Sequence, residues 1–152
     1  MVDDRGLIIV FTGDGKGKTT AALGVALRAS GRGMKTLVIQ FIKQGGTSGE
    51  QTVCPSVVKE IEIYPFGMGF VFHDVERVAH KEAVENAWRF MEKMLEKGKY
   101  DILVLDELNV VLHLGLFPVK RVVEFLYKKD STLHVIITGR GAPSEIVELA
   151  DI

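Results

Sequence analysis

The sequence predicts an α/β fold of three layers built on a mostly parallel central sheet, and three observations predict it. Short β-branched apolar runs alternate with longer helical ones, the order that covers a parallel sheet with helices on both faces. The strand-like runs are continuously apolar, as strands buried on both faces must be. Glycine-rich and acidic segments fall at the C-terminal ends of those runs, the edge where such sheets bind ligands. The 152 residues suffice for one substantial core and are too few for two. Residues 1–152 are therefore read as a single domain.

The first strand is read at Leu7 to Thr12, and a glycine-rich turn follows it. A helix then runs from about Thr19 to Ser30, where Gly31 and Gly33 stop it. Thr36 to Ile42 is the second strand, and Lys43 to Gln51 reads as a polar loop. Val57 to Tyr64 is the third, with Ile61 and Ile63 on one side and Glu60 and Glu62 on the other. Pro65 to Phe72 is a second loop, rich in glycine and aromatic residues, and Asp74 can cap a long helix reaching about Lys97. The stripe of Val84, Ala87, Trp88, Met91 and Leu95 has helical spacing and reads as core, with Gly98 ending the helix. Ile102 to Leu105 is the fourth strand, Pro118 opens a helix through about Tyr127, and His134 to Thr138 is the fifth strand. Ser144 can cap a last short helix.

Composition narrows the function. Nineteen Lys and Arg nearly cancel twenty Asp and Glu, so the broad basic surface of a nucleic-acid binder is not expected. No apolar run reaches the ~18–20 residues that span a bilayer, and the acidic start Val2-Asp3-Asp4 lacks the order of a secretion signal. One cysteine, Cys54, cannot form an internal disulfide and reads as a passive thiol. A cytoplasmic location is expected. His73, His80, His113 and His134 show no metal-ligand spacing, so no zinc site is expected.

The strongest chemical signal is Thr12-Gly13-Asp14-Gly15-Lys16-Gly17-Lys18-Thr19-Thr20, between a predicted strand and a predicted helix. Phosphates need backbone N–H groups turned inward, which a glycine-rich turn allows, and a helix N-terminus behind them. Lys18 supplies a mobile charge for phosphate oxygens, and the Thr19 hydroxyl can ligate Mg2+. The spacing departs from G-x-x-x-x-G-K-[ST]: Thr12 stands at the first glycine position and Gly13 comes one residue late. A dinucleotide fingerprint would need glycine where Lys18 stands.

A second signal is Ile102-Leu103-Val104-Leu105-Asp106-Glu107, a buried strand ending in two acids where P-loop proteins hold Mg2+. One acid would serve the metal and the other a structural bond. A third is Thr138-Gly139-Arg140-Gly141, whose Arg140 can reach an anion with a bidentate fork. Together they specify a P-loop NTPase fold of RecA-like build. No Asn-Lys-x-Asp stretch supports guanine specificity.

Several segments in combination resemble the ATP:corrinoid adenosyltransferases of the cobalamin pathway. They are the variant P-loop Gly13–Ala22, Val38-Ile39-Gln40-Phe41-Ile42-Lys43, Gly49-Glu50, Gly69-Phe70, Leu105-Asp106-Glu107-Leu108 and Ile137-Thr138-Gly139-Arg140-Gly141. Ala150-Asp151 matches the family's last common helix. The resemblance implies transfer of the 5′-deoxyadenosyl group of ATP to cobalt(I) of a corrinoid, with release of triphosphate. It implies ATP lying reversed in the loop compared with kinases, Phe70 and Phe72 lining the corrinoid site, and a homodimer. Phe72 stands where the family carries Trp. An electron-donating flavoprotein would be the reductant partner. Family members extend beyond both ends of this chain, so the corrinoid site is expected to be more open, or closed by the dimer partner.

The candidate catalytic residues are thus Lys18 and Glu107, and the candidate metal ligands Thr19, Asp106 and Glu107. ATP binding falls to Gly13, Asp14, Gly15, Lys16, Gly17, Lys18, Thr19, Thr20 and Arg140. Two other readings compete. A P-loop kinase or ATPase would use Glu107 to polarise water or an acceptor hydroxyl, and a non-catalytic nucleotide sensor would bind ATP without turnover.

Overall fold

The computed structural model describes residues 4–69 and 76–152; the expectations for Phe70, Phe72, His73 and Asp74 lie outside the described residues. In chain order the elements are β1 (Ile8–Phe11), α1 (Lys18–Ser30), β2 (Thr36–Gln40), α2 (Gly49–Val57), β3 (Ile61–Pro65) and α3 (Arg77–Lys97). They continue with β4 (Ile102–Asp106), α4 (Leu108–His113), α5 (Val119–Lys128), β5 (His134–Thr138) and α6 (Ser144–Leu149). The strands form one sheet in the order β1-β5-β4-β2-β3, and every adjacent pair is parallel. This is the expected P-loop NTPase-like α/β sandwich, with a sheet that is wholly rather than mostly parallel among the described residues.

Alternate residues of each central strand feed two separate cores, which is why these strands are apolar throughout. Leu37, Ile39, Leu103, Leu105, Val135 and Ile137 join Val84, Ala87, Trp88 and Met91 of α3. Val38, Val104 and Ile136 face the other way, onto Ala22 and Ala26 of α1 and Cys54 of α2. Alanine at both buried positions of α1 lets that helix lie close to the sheet.

Several elements correct the sequence reading. The polar segment before β3 is not all loop, because α2 begins at Gly49 and takes in Val57, which the pattern assigns to a strand. Gly49 and Pro55 hide this helix; Pro55 stands inside it and gives up one helical N–H. α4 has no counterpart in the sequence reading, being only six residues long. Ser144 does not cap α6: it is the first helical residue, and its hydroxyl donates to Glu145 at 3.1 Å. Ala150-Asp151 is not helical either. α6 ends at Leu149, and the chain turns along β1, with Asp151 N–H donating to Ile8 at 2.8 Å and Val10 N–H to Ile152 at 2.9 Å.

Past β2 and β3 two loops lie back to back. Gly67 N–H donates to the Lys43 carbonyl at 3.1 Å and Gly69 N–H to that of Ile42 at 2.9 Å. A Cβ on Gly67 would fall 2.0 Å from the Ile42 carbonyl, so only glycine permits this approach. Gly67→Ala is expected to push the loops apart and cost about 1–3 kcal/mol, read as a lower urea midpoint at unchanged slope.

Candidate functional site

The phosphate-loop geometry follows from two glycines. Gly13 and Gly17 have φ of 101° and 96°, and a Cβ on either would meet nothing within 4 Å. Conformation, not space, demands glycine there. Gly17 occupies the N-cap of α1 without a side-chain cap, and the first helical turn holds no acid. The helix therefore leaves its first amides and positive dipole end to the loop, a ready anion site. Lys18 Nζ donates to the carbonyls of Gly13 at 2.8 Å and Gly15 at 2.6 Å, holding the loop's curve. Thr12, the departure from the usual spacing, accepts the Ala142 N–H on its hydroxyl at 3.2 Å. It ties the loop's first residue to the turn after β5.

Beneath the loop sits Asp106, 1% exposed at the end of β4. Its Oδ1 accepts the hydroxyls of Thr19 at 2.7 Å and Thr138 at 2.9 Å. Its Oδ2 lies 3.3 Å from Lys43 Nζ and accepts Gln40 Nε2 at 3.4 Å. Gln40 reaches it because β2 pairs with β4 in the register Gln40 to Asp106. Lys43 and Gln40 also meet Glu50 Oε1, at 2.8 and 3.0 Å. Burial alone would raise the Glu50 carboxyl, but the hydrogen bonds it accepts from Lys43, from its own backbone N–H, from Ser48 and from Gln40 together outweigh burial and hold the group at about 2. Burial also opposes the charge on Lys43, and its hydrogen bonds to Glu50 and Asp106 together with their charges more than offset this, raising its pKa.

Glu107 carries the one positive φ, 63°, found on a non-glycine residue among those described. Its N–H donates to Thr138 Oγ1 at 2.9 Å, so Thr138 serves both acids at once. This backbone twist parts the two carboxylates: Asp106 points under the loop, and Glu107 lines the cavity. Burial first, then the Asp106 charge, pushes the Glu107 carboxyl above the ordinary range. The turn after β5 closes the far wall. Gly139 has φ of 123°, and a Cβ there would stand 3.0 Å from Val110 N. Asn109 Nδ2 donates to the Gly139 carbonyl at 3.2 Å, and the His113 ring packs against Gly141.

The result is a cavity of about 830 Å³ between the phosphate loop and the start of α4. Of the sequence-identified residues it gathers Asp14, Gly15, Lys16, Gly17, Lys18, Thr19, Thr20, Glu107 and Arg140. Gly13 and Asp106 stand behind them as supports. Reasoning from sequence did not pick out Gln40, Lys43, Glu50, Thr138 or His113 as site residues. The signal for Gln40 was a polar residue ending an apolar strand; His113 left none.

A divalent cation fits the donor set. Among the described residues no group of three or more His, Cys, Asp and Glu side chains is ready to hold a metal. Mg2+ asks for less: hard oxygens from one or two residues, with phosphate and water completing its shell. Thr19 Oγ1 and Asp106 Oδ1, 2.7 Å apart, supply that pair at the helix N-terminus.

Comparison with known proteins bears on the whole chain. The family model described as ATP:corrinoid adenosyltransferase BtuR/CobO/CobP matches residues 4–152. A corrinoid adenosyltransferase of Escherichia coli (strain K12) is 40% identical over 149 residues, covering 98% of this chain and 75% of that protein. Corrinoid adenosyltransferase CobA of Salmonella typhimurium is 39% identical over 149 residues, covering 98% and 75%. The corrinoid adenosyltransferase of Pseudomonas aeruginosa is 36% identical over 149 residues, covering 98% and 73%.

The Glu50 carboxyl gives a pH signature. Its folded pKa of about 2 lies below the unfolded value, so its stabilisation is complete above roughly pH 4.3. It is lost as pH falls towards about 2. Urea midpoints measured across this window should fall less steeply for Glu50→Gln than for the native sequence.

Proposed function

The chain belongs to the ATP:corrinoid adenosyltransferases, and from that membership and the site's geometry we propose how it moves the 5′-deoxyadenosyl group of ATP onto cobalt(I) of a corrinoid. The observation that carries the reading is the meeting of the phosphate loop and Asp106 at the 2.7 Å bond from Thr19, on the floor of one large cavity.

The cobalt(I) lone pair attacks C5′ of ATP, the cobalt–carbon bond forms, and the C5′–O bond breaks. Triphosphate leaves with that bond's electron pair. Cobalt(I) is already a strong nucleophile, so no protein base is needed to generate it. The protein's task lies at the leaving group, where charge grows. Lys18, the amides of Gly13 to Thr20 and Arg140 are assigned to that charge; Lys18 would exchange its two loop carbonyls for phosphate oxygens. Thr19 and Asp106, with Glu107 from the cavity side, would hold Mg2+, which when bound supplies further charge neutralisation on triphosphate. Glu107, facing the cavity, would orient the reacting end of the nucleotide.

Phe70 and Phe72 are proposed to line the corrinoid, on the strength of the motif they sit in. A homodimer in the cytoplasm, supplied with electrons by a flavoprotein, completes the proposal. It agrees with the family resemblance and with the lack, among described residues, of a helix long and apolar enough to cross a membrane. Terminal-phosphate transfer is not favoured, because the relatives are named for adenosyl transfer.

Mixed anaerobically with Mg-ATP and cob(I)alamin, the protein should yield a light-sensitive adenosylated corrinoid and one triphosphate per turnover. Release of ADP or phosphate instead would overturn the reading. Lys18→Ala should lower kcat by about 10²–10³, the usual effect of deleting one donor to developing charge.

A further inference from the structure

Asp106 is a buried carboxylate whose two oxygens have different company. Oδ1 faces the phosphate loop through Thr19 and is fixed by Thr138. Oδ2 faces away from it, towards Lys43 at 3.3 Å. The same ammonium stands 2.8 Å from Glu50 Oε1 on α2. One lysine is therefore shared by two acids, the nearer bond being to Glu50.

Resting on the reading that Mg-ATP is the nucleotide used, we propose that Lys43 is a positioning residue. It is the resident counter-ion of Asp106, which a divalent cation at Thr19 and Asp106 displaces towards Glu50. The ground is electrostatic. A buried carboxylate without a partner is costly, so Lys43 compensates Asp106 while no metal does. A doubly charged ion on the same carboxylate repels the ammonium a few ångströms away. Glu50 already holds the ammonium, so the transfer requires only that Lys43 give up Asp106.

The consequence reaches beyond the phosphates. Glu50 and Gln51 open α2, and Gln51 Nε2 donates to Gln40 Oε1 at 2.7 Å and to the Gln44 carbonyl at 3.0 Å. Gln44 Nε2 donates in turn to the Met68 carbonyl at 2.9 Å, beside the Gly67 bond to the Lys43 backbone. Both loops past β2 and β3 thus hang on the residues that flank the shared ammonium. Metal occupancy under the phosphate loop is felt at Gly67-Met68 without any direct contact.

The test is binding, not turnover. Calorimetry measures ATP affinity with saturating Mg2+ and with a chelator, and the ratio of the two is the quantity of interest. Lys43→Met removes the competing cation and should raise that ratio roughly tenfold, the usual effect of one close charge on a neighbouring carboxylate. Glu50→Gln leaves Lys43 with Asp106 alone and should lower it. Lys43→Arg should restore the native ratio. Opposite shifts in the first two variants support the proposal. A purely structural role would move both the same way, with a lower melting temperature, and would overturn it, as would no shift in either. A native protein whose ATP affinity ignores Mg2+ would remove the metal reading itself, and this proposal with it.

Discussion

The site depends on one buried carboxylate. Asp106 sits at the end of a strand that is otherwise wholly apolar and buried, where an uncompensated charge would be costly. Four polar side chains at that edge of the sheet meet it. Thr19 comes from α1, Thr138 from β5, and Gln40 and Lys43 from the end of β2 and the loop after it. These donors come from two strands and a helix, so satisfying one acid on β4 fixes the relative position of four elements. The cavity is the space left above that arrangement.

Sheet order explains why Thr138 is part of it. β5 stands between the strand bearing the phosphate loop and the strand bearing Asp106. Two strand spacings amount to about 9–10 Å, too far for a loop on β1 to reach β4 directly. The distance is closed by the first turn of α1, which packs across β5, and by a short polar residue at the end of β5. A larger side chain at 138 would stand where Thr19 must reach, and an apolar one would cost Asp106 one of its hydrogen bonds and the Glu107 N–H its bond to Thr138. The bulk-free turn that follows serves the same economy of space, because Gly139 and Gly141 let α4 and His113 lie directly on it.

What the sequence made legible divides along the same lines. Lys18, Thr19, Asp106 and Arg140 could be read because each depends on local spacing: a strand, a turn and the first residue of a helix, or a strand and its acidic end. All five strands and the long helix α3 were visible for the same reason, their apolar period being intrinsic. α2 was not, since Gly49 and Pro55 speak against a helix, and the helix is held by Cys54 against the sheet and by Glu50 and Gln51 against Gln40 and Lys43. Asp151 misled for a similar reason. Its place beside Ile8, accepting that residue's N–H at 2.8 Å, depends on a partner nearly the whole chain away.

Glu107 shows how the fold gives two adjacent acids different work. On a continuing strand successive side chains alternate faces, and an acid following Asp106 would turn into one of the two cores. A left-handed residue instead ends the strand and starts α4 at once. Non-glycine residues accept that conformation at a cost, here met by the bond from the Glu107 N–H to Thr138. The carboxylate so released faces Lys18 and Arg140 across the cavity, and their charges oppose the rise that burial and Asp106 impose on it. A reaction whose nucleophile needs no base has no use for a proton acceptor there. In the proposed reaction the Glu107 carboxylate, held near Asp106 but turned from it, would instead serve the proposed cation from the cavity side.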